Sequence, residues 1–330
     1  MKPHVSFVVP VRNDAARLAT CLRSIVRNSH APGQIELIVV DNGSTDNSAA
    51  VARQFGARVV SVEHGRVSDL RNRGASHAAS DVLAFVDADN EIVAGWVYAA
   101  LACLQLPGVA VAGALYHAPP DGTWVQRSYG HLRGGPRGQH DVDWLGSGNM
   151  AVWRQTFEAV GGFDTTLETC EDVDFCHRVR ASGKRIVSDA RLRSVHHGDP
   201  STLREVFSSE RWRGRDNLRV SFRRPLAWAS IPSAIVPIVD TLLIGLAVAG
   251  LLVTVRAGWL GLLLSAAALI VFSGPTCLRV ARAAKRAGPG PTVGLLEAFV
   301  VALVYDAGRA LALVSRAPHR AARPRAIAAS

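Results

Sequence analysis

The chain has 330 residues, of which 48% are hydrophobic and 19% charged, a balance more apolar than that of a typical soluble enzyme. Lysine and arginine (37) exceed aspartate and glutamate (27) by ten, which favours an anionic partner such as lipid headgroups, a diphosphate or nucleic acid. The five cysteines form no CxxC pair and no even framework, so a disulfide-stapled fold is excluded and reduced thiols on the cytosolic side are expected.

The first 90 residues alternate short β-branched runs with amphipathic segments. The opening apolar run is short and is broken by Pro10, so it predicts a strand rather than a signal peptide. One helix is predicted to begin at an N-cap on Ser44 and to end at Gly56. Strand-helix alternation at this rhythm predicts a parallel sheet covered on both faces, whose ligands bind beyond the carboxyl ends of the strands. Strands are predicted at 5–10, 35–41, 57–62 and 81–87, and further helices at 14–28 and 68–80.

The last third of the chain predicts membrane helices. Residues 231–255 carry one charge, Asp240, and residues 257–278 carry none, so each stretch exceeds the ~20 residues that a helix needs to cross a bilayer. A third apolar stretch, 293–314, holds three ionisable residues and is interpreted as a packed membrane helix or as an amphipathic helix at the interface. Arginines flank the hairpin at both ends, which predicts that both ends are cytoplasmic. Two crossings and a surface-lying third helix are preferred.

Two aspartates follow the run VLAFVD. Asp87 and Asp89 are two residues apart, and in an extended segment both side chains would face one site. Carboxylate oxygens at the end of a buried strand suit Mg²⁺ or Mn²⁺, and these ions suit diphosphates. A polar turn without a ligand is the alternative.

Seven motifs in fixed order give the chain a resemblance to a known family. It resembles the family 2 glycosyltransferases, inverting enzymes that use nucleotide-sugar donors, and in particular those with C-terminal membrane helices. The resemblance covers about residues 4–215. It implies an α/β fold of the GT-A type, a Rossmann-like mixed sheet, in a catalytic domain over 1–220, followed by a membrane-associated helical region over 221–330. The motifs are VVPVRN, VVDNGSTD, LRNRGASHA, FVDADN, GSGNMAVWR, GGFD and EDVDFCHRVRASG.

The resemblance also implies a donor site. Asp41 would contact the donor base, and Arg71 would lie near the nucleotide. Asp87 would approach the ribose, and Asp89 would bind the metal that bridges the diphosphate. Simpler alternatives stay open: Asp41 as a strand end, Ser44 and Asp46 of the same motif only as caps of the following helix, and Arg71 as a solvated helix residue.

Three further residues complete this implied site. Pro10 and Asn13 would shape the base pocket. His196, in SVHHGDPST, would be a further metal ligand or diphosphate contact, with an unpaired surface histidine as the alternative.

Four carboxylates crowd the segment LETCEDVDFCHR. Glu171 and Asp172 in the first turn of a helix would be favoured by the helix dipole, and Asp174 can pair with Arg178 at i+4. Inversion at an anomeric carbon needs a base that takes the proton of the acceptor hydroxyl. The resemblance assigns that role to Asp172, with Glu171 orienting neighbouring groups.

The segment SSERWRGRDNLR resembles the end of the motif found in processive membrane synthases, but Ser208 stands where that motif has glutamine, which puts processivity in doubt. Trp212 would stack on an acceptor sugar or anchor at the membrane interface. The surrounding arginines would hold anionic headgroups or a polyprenyl diphosphate, or serve only as a positive-inside flank. These arginines are 204, 211, 213, 215, 219, 223 and 224.

The sequence thus predicts a metal-dependent, membrane-anchored glycosyltransferase of polysaccharide or cell-envelope biosynthesis, facing the cytoplasm. Its partners would be a nucleotide-diphosphate sugar, most readily a UDP-sugar, a lipid-linked or glycan acceptor, and the membrane. Nucleic acid is not expected, because the excess arginine lies near the membrane segments. Two alternatives stay open: transfer onto polyprenyl phosphate, as in dolichyl-phosphate sugar synthases, and a non-catalytic membrane scaffold. A nicotinamide-dependent oxidoreductase would need a glycine-rich turn after the first strand, which VVPVRND lacks.

Overall fold

The chain folds into two compact units. The computed structural model describes residues 4–28, 34–134, 138–223, 231–286 and 293–315. Within these ranges, the first unit comprises 4–119 and 138–198, and the second comprises 120–134 and 199–315. This division by compactness is not a single cut at residue 220, because the segment 120–134 belongs with the helices of the second unit. The functional boundaries 1–220 and 221–330 stay a prediction.

The strands of the first unit form one large and one small sheet. They are β1 (Val5–Val11), β2 (Ile35–Asp41), β3 (Arg58–Ser61), β4 (Val82–Val86), β5 (Asn90–Ile92), β6 (Val109–Gly113), β7 (Tyr116–His117), β8 (Gln139–Asp141), β9 (Asn149–Trp153), β10 (Arg185–Asp189) and β11 (Ser194–His196). The large sheet has the order β3-β2-β1-β4-β9-β6-β10-β8, and the small one has the order β5-β11-β7. The carboxyl ends of β1, β2, β3 and β4 lie at one edge, because these strands are parallel.

The sheet is mixed rather than parallel throughout. Strand β9 runs antiparallel between β4 and β6, with Asn149 opposite Val86. The start of β9 therefore lies at the same edge as the end of β4. This geometry brings the GSGN motif beside the aspartates that follow β4.

The helices divide between the two units. Those of the first unit are α1 (Ala15–Val26), α2 (Ser48–Gln54), α3 (Val67–Ser76), α4 (Trp96–Leu104), α6 (Arg154–Ala159) and α7 (Glu171–Ala181), and those of the second are α5 (Trp124–Arg133), α8 (Leu203–Arg213), α9 (Asn217–Ser221), α10 (Ile231–Ala257), α11 (Trp259–Arg286) and α12 (Leu295–Leu311). A short 3₁₀ turn covers Ala190–Leu192 in the first unit.

Both faces of the large sheet are buried, as the sequence predicts. Alternate residues of β1 point to opposite sides, as the pleat requires. Phe7 and Val9 pack in the core cluster that contains Leu22 of α1, whereas Val8 packs with Leu70 of α3 and Phe175 of α7 in the other. Helices α3 and α7 therefore cover the same face, and both carry candidate site residues.

Two local predictions are corrected. Helix α2 begins at Ser48, not after Ser44, because the Ser44 hydroxyl accepts the backbone N–H of Asn13 (3.0 Å) and holds the preceding loop instead. Asp87 and Asp89 do not lie in an extended segment. Strand β4 ends at Val86, and the backbone N–H of Asn90 donates to the carbonyl of Asp87 (2.9 Å), so a turn separates the two carboxylates.

Among its described residues, the second unit contains two helices that are long and apolar enough to cross a membrane. The segments are Ser233–Val255 in α10 and Trp259–Arg286 in α11, close to the predicted 231–255 and 257–278. Their apolar side chains lie largely on the surface of the protein, as at Leu242 (69% exposed) and Ile270 (71% exposed). Exposed leucine and isoleucine at this density are typical of a lipid-facing surface.

Helix α12 pairs two of its ionisable residues, Asp306 and Arg309, within the second unit, while Glu297 is exposed. Asp306 pairs with Arg279 (2.6 Å) and accepts a hydrogen bond from Thr276 (2.8 Å), and Arg309 pairs with Glu210 of α8 (2.6 Å). The cost of charge in an apolar helix is offset by such pairing. Whether α12 is a membrane or an interfacial helix stays a prediction.

Candidate active site

The loops after β1 and β2 form a rigid polar rim at the edge of the sheet. Asp41 is buried at the end of β2, opposite Val11, and its Oδ1 accepts the backbone N–H of Ser44 (3.1 Å). Asn13 has a left-handed backbone (φ 51°), and its Oδ1 accepts the N–H of Thr45 (2.7 Å). Asparagine tolerates this conformation better than most residues, which accounts for its presence here. Pro10 is buried in β1 opposite Val40.

Arg71 connects two carboxylates from distant parts of the chain. It lies on α3 and is 3% exposed. One terminal nitrogen bonds to Asp87 after β4 (2.5 Å) and the other to Glu171 at the start of α7 (2.8 Å). The planar guanidinium can hold both acids at once, which a lysine ammonium cannot do with the same geometry. Arg71 is therefore an internal clamp and not a solvated helix residue.

The two acids that open α7 are shielded from solvent to different extents, Glu171 being buried and Asp172 half-buried. Burial, and then the charge of Asp172, raises the pKa of Glu171 to about 7. Burial also raises the pKa of Asp172, although the N–H of Val173 (2.8 Å) and the charge of Arg71 act in the opposite direction. Acids with raised pKa values beside a clamped partner are typical of proton-transfer sites.

The other predictions for this helix concern its stability. Asp174 pairs with Arg178 at i+4 (2.8 Å), as the spacing predicts. Cys170, just before the helix, has a left-handed backbone (φ 60°), a conformation that L-residues seldom adopt. Its strained geometry sets the direction in which α7 leaves the preceding loop.

Asp89 and His196 form a second group. The His196 Nε2 lies 3.4 Å from the Asp89 carboxylate. Burial acts to raise the pKa of Asp89, but the charge and hydrogen bond of His196, and then the charge of Arg17, hold this pKa well below its usual value. His196 ends β11, which pairs with β5 directly after the Asp89 turn. A side chain at Gly198 would meet the Asp89 carboxylate at 1.8 Å, so this position requires glycine.

Few of the described side chains are placed to bind a metal ion. Among the residues that the structure describes, no group of three or more histidine, cysteine, aspartate or glutamate side chains could hold a metal ion. Asp89 and His196 supply one carboxylate and one imidazole. A metal at this pair would need its other ligands from water or from a substrate.

Tyr116 is a site residue that sequence reasoning missed. Its hydroxyl accepts the backbone N–H of Gly148 (3.1 Å), and its ring lies 5.1 Å from the His196 ring. Burial, and then the charges of Asp87 and Asp172, raise the pKa of Tyr116. Tyr116 thus lies near both acid groups. The available signal was the glycine pattern of GSGN, because glycines often mark a close approach of side chains.

The structure brings Arg71, Asp87, Glu171 and Asp172 together, and pairs Asp89 with His196. Asp41, Asn13 and Pro10 lie at the same edge of the sheet, in the loops and strand end described above. Trp212 belongs to α8 in the second unit, where it is half-buried. Its acceptor role stays a prediction.

Comparison with known proteins identifies the sequence pattern. The family model described as glycosyl transferase family 2 matches residues 6–186. The chain is 29% identical over 257 residues to protein y4gI of Sinorhizobium fredii. The aligned region spans 67% of this chain but only 27% of y4gI. It is 25% identical over 244 residues to the glycosyltransferase AglE of Haloferax volcanii, and this alignment spans 69% of the chain and 79% of AglE.

The fold has a solved counterpart. The mannosyltransferase PcManGT from Pyrobaculum calidifontis, solved with GDP-Man and Mn²⁺, superimposes with a TM-score of 0.56. The two sequences are 17% identical, and the match covers 92% of this chain and 86% of that one. The likeness confirms the predicted GT-A fold with its mixed sheet.

Proposed function

Because the chain belongs to glycosyltransferase family 2, we propose that it is a membrane-anchored inverting glycosyltransferase. It moves a sugar from a nucleotide-diphosphate donor to a lipid-linked or cell-envelope saccharide acceptor. The observation that carries the proposal is the cluster in which Arg71 clamps Asp87 and Glu171 next to Asp172, at the edge of the sheet where ligands of α/β folds bind.

Asp172 is the general base. Its carboxylate takes the proton of the acceptor hydroxyl while the acceptor oxygen forms its bond to the anomeric carbon. The bond from that carbon to the diphosphate oxygen breaks on the opposite face, so the configuration inverts and the electron pair leaves with the diphosphate. Glu171 and Arg71 orient Asp172. Because the pKa of Glu171 lies near 7, this acid can hold or release a proton in the site.

The donor occupies the polar rim. Asp41 contacts the nucleotide base, and Pro10 and Asn13 shape the pocket of that base. Asp87 approaches the ribose, and Arg71 lies near the nucleotide. UDP-sugars are the first donors to test. AglE is named a glycosyltransferase, and PcManGT was solved with GDP-Man, which supports a nucleotide-sugar donor of some kind.

Asp89 and His196 would hold a divalent cation. Mg²⁺ and Mn²⁺ accept one or two carboxylates and take their remaining ligands from water and substrate phosphates, so a two-residue site fits this pattern. The glycine at 198 leaves the Asp89 carboxylate room at the strand edge. A bound cation would neutralise charge on the departing diphosphate. PcManGT was solved with Mn²⁺, which supports a metal of this class.

The membrane helices would keep the chain at the membrane, where a lipid-linked acceptor lies. Helices α10 and α11 have the length and composition to anchor the chain, and the arginines that flank them favour a cytoplasmic catalytic domain. Trp212 would stack on an acceptor sugar. Transfer onto polyprenyl phosphate would use the same donor site and is distinguished by the acceptor alone.

A donor and acceptor screen tests the proposal. The detergent-solubilised full chain is incubated with Mn²⁺ and a panel of UDP-, GDP- and dTDP-sugars, first alone, then with polyprenyl phosphate, then with lipid-linked saccharides. We expect release of nucleoside diphosphate from one donor, stimulated by one acceptor class, abolished by EDTA and restored by Mn²⁺. The Asp89→Ala variant should need higher Mn²⁺ or lose activity. A chain that hydrolyses and transfers nothing from this panel would support the scaffold alternative.

A further inference from the structure

The Tyr116 side chain lies between the two acid groups of the site. Its strand, β7, pairs with β11, which carries His196. Its ring packs against the His196 ring at 5.1 Å, and its hydroxyl reaches the backbone N–H of Gly148 at 3.1 Å. One end of the side chain is thus beside the candidate metal pair, and the other is beside the turn that precedes β9.

The Tyr116 hydroxyl has a proton to donate. Among the described residues the hydroxyl accepts one hydrogen bond, from Gly148, and donates none. The residue is half-buried, so it is accessible from one side. A phenol is neutral and protonated at physiological pH. It is therefore a hydrogen-bond donor in a site whose other groups include four carboxylates.

Two glycines leave room for this hydroxyl. A Cβ at Gly146 would lie 2.4 Å from the Tyr116 hydroxyl, and a Cβ at Gly148 would lie 3.0 Å from it. The same Cβ at Gly148 would lie 2.2 Å from the Asp87 carboxylate. The GSGN motif thus admits the tyrosine and the aspartate together. A donor held in place before the ligand arrives needs no reorganisation during the reaction.

We infer that the Tyr116 hydroxyl donates a hydrogen bond to the diphosphate of the bound donor. The inference rests on the proposed function. The diphosphate is favoured over the acceptor because the hydroxyl lies at Gly148, where the Asp87 carboxylate proposed for the ribose also lies, while the ring packs on His196 of the proposed metal pair. A hydrogen bond from a neutral phenol is also stronger to an anionic oxygen of the diphosphate than to a neutral hydroxyl of the acceptor.

The Tyr116→Phe variant of the full chain tests the inference. It keeps the ring contact with His196 and removes the hydroxyl. Tyr98→Phe is the matched control, because Tyr98 is 76% exposed on α4. Binding of UDP, UMP, GDP and GMP is measured by calorimetry in Mn²⁺ for both variants and the natural chain, together with thermal unfolding, kcat and KM.

The expected result is a loss of about ten-fold in affinity for the nucleoside diphosphate that binds, with no change for the monophosphate. A kcat reduced about ten-fold should accompany it, and Tyr98→Phe should match the natural chain. Equal losses for diphosphate and monophosphate, or a loss only in thermal stability, would mean that the hydroxyl merely supports the Gly148 turn. Unchanged diphosphate binding in a catalytically active chain would overturn this inference and leave the proposed function intact. Absence of both nucleotide binding and transfer in the natural chain would overturn both.

Discussion

The Asp172 carboxylate is a better base than an exposed aspartate because burial raises its pKa. The substitution Asp172→Asn keeps the shape of the side chain and the hydrogen bond from Val173 but removes the group that accepts the proton. We expect kcat to fall by about 10²–10⁴-fold, the usual contribution of a positioned base, with a small change in the KM of the donor. The control is Glu168→Gln, an exposed acid three residues before α7. Steady-state kinetics on both variants would contradict the assignment if Asp172→Asn retained full turnover.

The paired acids also predict a pH dependence. The base must be unprotonated, so activity rises with pH as Asp172 loses its proton, and this acid limb lies above the ordinary aspartate pKa of 3.8 because burial raises it. Three other charged or titratable groups act on the pair of Glu171 and Asp172. They are Arg71 of α3, Asp87 after β4 and Tyr116 of β7. Because the pKa of Glu171 lies near 7, Glu171 is still protonated and uncharged where Asp172 titrates, so Glu171→Gln should leave this acid limb in place.

The comparison of Glu171→Gln with the natural chain isolates this pair from other titrations, such as that of the candidate metal ligands. The measurement is log(kcat/KM) against pH from 4.5 to 9 for both proteins at saturating Mn²⁺. A limb that shifts in the variant would show that Glu171 is ionised while Asp172 titrates and therefore acts on the charge state of the base.

At the scale of elements, Arg71 joins α3, α7 and the loop after β4. Arg71→Met would leave Glu171 and Asp87 without their shared partner, and removal of one member of a buried ion pair typically costs about 3–5 kcal/mol. We expect a loss of that order in the free energy of unfolding of the first unit, and a smaller loss for Arg71→Lys. Arg73→Met, an exposed change on the same helix, is the control. Chemical denaturation in detergent, followed by tryptophan fluorescence, measures the three variants. Equal stability of Arg71→Met and Arg73→Met would refute the clamp.

The elements also show how far the sequence could be interpreted. Long runs such as VSFVVP and IELIVVD predict their strands, and the i+4 spacing predicts the Asp174–Arg178 pair, because both signals are local. The small sheet β5-β11-β7 has strands of two or three residues, too short for any periodicity to show. The GSGN glycines indicate a close approach, but not that Tyr116 makes it, because the position of Tyr116 depends on its pairing with Ser194, 194 − 116 = 78 residues further along the chain. The clamp by Arg71 likewise depends on contacts across 100 residues.

For the whole molecule, the distribution of charge matters more than its sum. The excess of ten positive charges coexists with two helices whose surfaces are apolar. In the described part of the second unit, the buried acids Asp306 and Glu210 are paired with arginines, whereas both carboxylate oxygens of the buried Asp240 lack a hydrogen-bond partner. The apolar surfaces of α10 and α11 carry no such compensation. Their exposure in water would be unfavourable, and lipid is the environment that removes the cost.

Membrane anchoring through these surfaces can be tested on the full chain. Leu242→Arg with Ile270→Arg places one charge near the middle of each candidate span, at side chains that are 69% and 71% exposed. Each arginine should oppose insertion by about 2.5–3.5 kcal/mol. We therefore expect the natural chain to stay in the membrane pellet after alkaline carbonate extraction and much of the double variant to leave it or be degraded. Tyr98→Arg, at a 76% exposed position of the first unit, should behave as the natural chain does. Complete extraction of the natural chain would mean that α10 and α11 meet protein rather than lipid.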